Sequence, residues 1–149
     1  MPSEPAARER FVARSLRQAV LAVLLFGSLG TLSELYLIGH YGDWWQCIPI
    51  GLLILVAVVS AGYLLRPTEV LRRVVMVVMW GCILAGVWGN GFHYAGNAEF
   101  EREMYPDRAG WELVKESMTG AFPVLAPGTM TVVGLFGLIA AWRPRPRRA

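Results

Sequence analysis

The chain has 149 residues, 55% of them hydrophobic and 17% charged, with a mean hydropathy of +0.44 and a formal net charge of +3. That is the length of one domain, and it is too apolar for an ordinary soluble one, whose charged fraction is nearer a quarter. The apolar residues are clustered into runs rather than spread periodically, which points to an integral membrane protein.

Residues 1–17 are a basic arm carrying Arg8, Arg10, Arg14 and Arg17. The first apolar run covers 19–39 and is broken only by small hydroxyl residues and Glu34. Its basic start and its small residues Ser28 and Gly30 are similar to a cleavable signal sequence. The run continues through TLSELYLIG to full spanning length, so an uncleaved first helix is expected. Runs over 47–65, 74–92 and 121–142 carry no charge at all. Each is close to the roughly 20 residues that a helix rising ~1.5 Å per residue needs to cross the hydrocarbon core. Lipid offers no partners for backbone N–H and C=O groups, and the runs lack the alternation of barrel strands. The predicted fold is therefore all-α, with four transmembrane helices bundled over residues 18–142 and an Arg/Pro tail at 143–149.

The connections add detail. Pro123 and Pro127 near the outer end of the fourth span remove backbone donors and predict a bent or irregular start. In the long loop before it, Trp111, Val114 and Met118 recur at helical spacing, which predicts a short amphipathic helix in the membrane interface, aromatic side down. Glu99 and Glu103 share a solvated face, with Phe100 and Met104 opposite them and buried. The segments GHYGD at 39–43 and FHYAGN at 92–97 match weakly and suggest two parallel hairpin repeats that put His40 and His93 at one depth. Cys47 and Cys82 stand half a membrane apart, too far for a disulfide, and read as packing residues.

Charge sets the orientation. Eleven of the fourteen basic residues fall on one side of a four-span chain: those of the arm, Arg66, Arg72 and Arg73, and the four arginines of the tail. Only Arg102, Arg108 and Lys115 lie opposite, together with seven of the eleven acids. By the positive-inside rule both termini are cytoplasmic. Thirteen arginines against one lysine suggest a GC-rich bacterial genome, hence a plasma membrane. The tail would lie on anionic lipids, and the basic pI of about 9.2 reflects topology rather than nucleic-acid binding.

The candidate site is the polar cluster at the outer face. Gly27, Gly30 and Thr31 share a helix face with Glu34, and Gly86 and Gly89 share one with His93, flanked by Asn90 and Asn97. Small residues mark close helix approach, so both faces are expected to point into the bundle. An intramembrane carboxylate costs several kcal/mol unless it is paired, hydrated or protonated. Glu34, His40 and His93, with Asn97 and Glu101, are thus expected to form an outward-facing pocket. His40, His93 and Asp43 are its candidate ligands for a divalent metal such as zinc, iron or copper. The function expected is binding or moving a small cation with proton coupling through Glu34, in an oligomer or with a membrane-protein partner. The alternatives are a redox module holding haem or quinone, and a non-catalytic accessory or assembly subunit. No phosphate loop, nucleophile elbow or metalloprotease motif asks for an enzyme.

Overall fold

The computed structural model describes residues 4–142. Five helices follow in order: α1 Glu4–Leu37, α2 Cys47–Leu65, α3 Glu69–Met104, α4 Gly110–Met118 and α5 Gly128–Ala141. α1, α2 and α3 are long and apolar enough to cross a membrane, while α5 is a shorter apolar helix. At ~1.5 Å per residue its 14 residues span about 21 Å, short of a hydrocarbon core of about 30 Å. The expected fourth span over 121–142 is therefore helical only in its second part. Pro123 and Pro127 account for the difference, since the chain is in turns up to Pro127 and the helix begins at Gly128.

α1 packs on α2 and α5, and α3 packs on α2, α4 and α5, so the apolar helices form a ring in the order α1, α2, α3, α5. Its core is built from Leu21 and Leu24, Leu53 and Val56, Met79 and Cys82, and Met130 and Val133. Bulky apolar residues such as Phe26, Val58, Val77, Leu84 and Phe136 remain exposed around the ring. Only 17% of the most apolar stretch of α1 is buried, and 28% of those of α2 and α3. Surfaces of that size and composition belong in lipid, not water.

At the end where α2 turns into α3, Thr68 caps α3 by accepting the Leu71 N–H at 3.2 Å. Glu69 in its first turn accepts both Arg72 Nη2 at 2.6 Å and Arg72 Nε at 2.8 Å. Arg72 also donates to the Ala141 carbonyl at 3.4 Å, and Arg17 to that of Trp142 at 3.3 Å. These contacts tie the start of α3 and the middle of α1 to the end of α5 on the arginine-rich side.

The closest helix pair is α3 with α5, and glycine makes it possible. A Cβ at Gly89 would sit 2.7 Å from Pro127 Cβ, and one at Gly134 would sit 2.5 Å from the Met79 carbonyl oxygen. Gly86 meets Thr131, and Gly137 meets Met79, at similarly close range. The expectation that Gly86 and Gly89 lie on an inner face holds.

On α4 Leu113 and Ser117 are buried and Trp111 is exposed. Two local expectations fail. Phe100 and Met104 are exposed, and α3 buries Asn97, Ala98 and Glu101 instead, on the stretch that packs against α4. The two His-Tyr segments also differ in local structure. α1 ends before His40, whereas α3 runs through His93 for about three more turns.

Candidate functional site

The segment joining α4 to α5 must satisfy its backbone without being helical, and α3 supplies the partners. Asn97, 2% exposed, donates through Nδ2 to the carbonyls of Ser117 and Phe122, each at 2.8 Å. Its Oδ1 accepts the Phe122 N–H at 2.9 Å. One amide thus serves three backbone groups twenty or more residues away in sequence. Gly120 packs flat on it, where a Cβ would come within 2.5 Å of Asn97 Cγ. One turn toward the membrane, His93 Nδ1 lies 3.0 Å from the Pro123 carbonyl, so the tautomer protonated at Nδ1 donates to it. Phe122 covers that imidazole, with ring centroids 6.1 Å apart.

Glu101, one turn further out, forms a short ion pair with Arg108, which also lies 3.5 Å from Glu112. The Arg108 guanidinium stacks over Tyr105 at 4.0 Å. Together these contacts hold the turn between α3 and α4. Asn97 and Glu101 are therefore occupied by the protein's own groups.

The face of α1 departs from expectation. Leu21, Leu24 and Ser28 point inward, while Gly27, Gly30 and Glu34 are exposed, on the side of the helix away from its neighbours. A Cβ at Gly27 or Gly30 would meet nothing within 4 Å. Helix geometry explains the error. The residues at 27, 30 and 34 are in phase with one another, but out of phase with the inward set at 21, 24 and 28. Glu34 lies 17 residues from Arg17, or about 25 Å along α1, less than the thickness of a hydrocarbon core of about 30 Å.

His40 follows the end of α1 and is half-buried. At the same end Trp45 and Phe92 stand 5.5 Å apart. Burial, and then the charge of His93, hold its imidazole below the ordinary histidine value. The two histidines are thus in electrostatic reach of each other, but Glu34 does not join them. Asp43 is exposed in the loop before α2, and its N–H is capped by Gln46 Oε1 at 3.3 Å. Among the described residues, no three His, Cys, Asp or Glu side chains gather as a metal site. The expected ligand set of His40, His93 and Asp43 is therefore not assembled. Cys47 and Cys82 are both free, the first exposed and the second buried.

Sequence reasoning missed Arg108, whose place beside Glu101 is hinted at only by the turn-forming YPD between them. It also missed the task of Asn97, because the partners are backbone groups with no sequence signature. Comparison with family models, with curated proteins and with solved structures finds no match for the chain.

Proposed function

We propose that this chain is a non-catalytic assembly subunit of the membrane, and that it associates through the outer face of α1 with the same face of a second copy. The observation that carries the reading is the exposure of Glu34, within a membrane-spanning stretch, on a face that also bears Gly27 and Gly30. Glycine in a helix interior costs about 1 kcal/mol relative to alanine, and nothing among the described residues requires it at these two positions. Val23, Gly27, Gly30, Glu34 and Leu37 recur every three or four residues, the spacing of a left-handed helix-pair seam. A single polar residue on such a seam fixes register. Copies inserted in one orientation bring their Glu34 side chains to equal depth, where they meet across the seam.

In this reading the chain crosses the membrane four times, with the turns before α5 completing the last crossing and both termini in the bacterial cytoplasm. α4 lies at the outer interface with Trp111 toward lipid. The polar cluster of α3 is the scaffold of the broken helix, consistent with the need for backbone satisfaction at membrane depth.

The experiment is a single-cysteine scan of α1 in a background lacking Cys47 and Cys82. Oxidation in the membrane is expected to link copies through positions 23, 27 and 30, and not through the inward positions 21, 24 and 28. A flat profile, or none, removes the seam.

Cation binding is the second reading, favoured by the proximity of His40 and His93 beneath the acidic outer rim. It would draw on those imidazoles rather than on Glu34. Zinc titration of wild type against a His40→Gln, His93→Gln variant tests it, and equal binding by both discards it.

A further inference from the structure

A lateral crevice of about 280 Å³ lies between α1 and α5 at the arginine-rich end of the bundle. Ala13, Leu16 and Val20 form one wall and Ile139 the other, with Arg17 and Trp142 among the lining residues. It opens away from the core, since Leu16, Ile139 and Trp142 are all well exposed. α5 stops at Ala141 while α1 continues past it, so the crevice has apolar walls toward the membrane and a basic helix beyond. We propose that this crevice holds one acyl chain of an anionic phospholipid, with the lipid phosphate on Arg17.

Charge complementarity names the occupant. Arg17 spends one donor on the Trp142 carbonyl, and its guanidinium has five N–H groups in a planar fork suited to phosphate. Arg14 and Arg10 stand three and seven residues before it and share its side of the helix. Glu9 is the nearest acid on α1, a further residue away. The volume is slightly below that of ordinary small-molecule pockets, which suits part of one chain rather than a whole lipid. Trp142 at the mouth has the amphipathic ring that prefers the headgroup level. The inference is independent of how copies associate, because the crevice is complete within one copy.

The test uses full-length protein, delipidated in detergent and offered dioleoylphosphatidylglycerol or dioleoylphosphatidylcholine in native mass spectrometry. Wild type is expected to retain one phosphatidylglycerol in preference to phosphatidylcholine. Arg17→Gln is expected to lower that retention about five-fold, the usual effect of one basic residue near an anionic headgroup. Arg17→Lys restores most of it. Leu16→Trp fills the crevice without changing charge and also lowers retention; Leu16 is exposed, so the core is untouched. Arg8→Gln removes the same charge from the opposite side of α1 and leaves retention unchanged. Equal retention of the two lipids, equal loss with Arg8→Gln and Arg17→Gln, or no effect of Leu16→Trp would overturn the proposal.

Discussion

Replacing Asn97 with alanine removes a side chain that satisfies the Ser117 and Phe122 carbonyls and the Phe122 N–H. A net hydrogen bond is worth about 1 kcal/mol, and a buried backbone group left without a partner costs about 1–3 kcal/mol. At the lower figure for each, the three groups total about 3 kcal/mol. Asn97→Asp is the sharper variant. Its carboxylate keeps the acceptor for Phe122 N–H but faces two carbonyl oxygens at donor distance, so the loss should exceed that of alanine. Reversible unfolding in mixed micelles by increasing SDS fraction measures both. The backbone-scaffold reasoning is refuted if Asn97→Ala costs under about 0.5 kcal/mol, or if Asp is tolerated better than Ala.

Other expectations follow from the packing and the charges. Gly134→Ala drives a methyl against the Met79 carbonyl and the Ile83 side chain, and should cost about 2 kcal/mol in the same unfolding assay. His40 has a folded-state pKa below its unfolded value, so the unfolded chain takes up its proton first. Stability from this group is full above the unfolded pKa and falls as pH drops through it toward the folded one. Midpoints measured between pH 7.5 and 5.5 should therefore decline more for wild type than for His40→Gln. A reporter active only outside the cytoplasm should work when fused after Trp111 and fail after Arg148, and the reverse pattern would invert the bundle.

The apolar runs were legible because they are long and uncharged, and 47–65 coincides with α2. The runs at 19–39 and 74–92 lie almost wholly inside α1 and α3, but those helices continue well past them as polar segments that hydrophobicity cannot delimit. Proline warned of the broken start before α5, though not that Asn97 and His93 would repair it. Contacts from side chain to backbone across twenty or more residues leave no periodic trace. Glu34 was misread for a different reason. Glycine marks where another helix comes close, but not whether that helix belongs to the same chain. At Gly86 and Gly89 it is α5 and the proline before it; at Gly27 and Gly30 nothing among the described residues comes within 4 Å of an added Cβ. His40, His93 and Asp43 do not gather among the described residues, and Asp43 lies exposed in the loop before α2, a placement that its sequence spacing from His40 does not reveal.

Gly30→Leu tests the assembly claim most directly, since Gly30 is exposed and a Cβ there meets nothing within 4 Å among the described residues. The particle mass of wild type and variant, extracted from membranes without crosslinker and read by light scattering, gives the answer. The account predicts a wild-type protein mass of at least twice 16.5 kDa and a Gly30→Leu mass equal to one copy. A single-copy wild type, or a variant that keeps the wild-type mass, would contradict it.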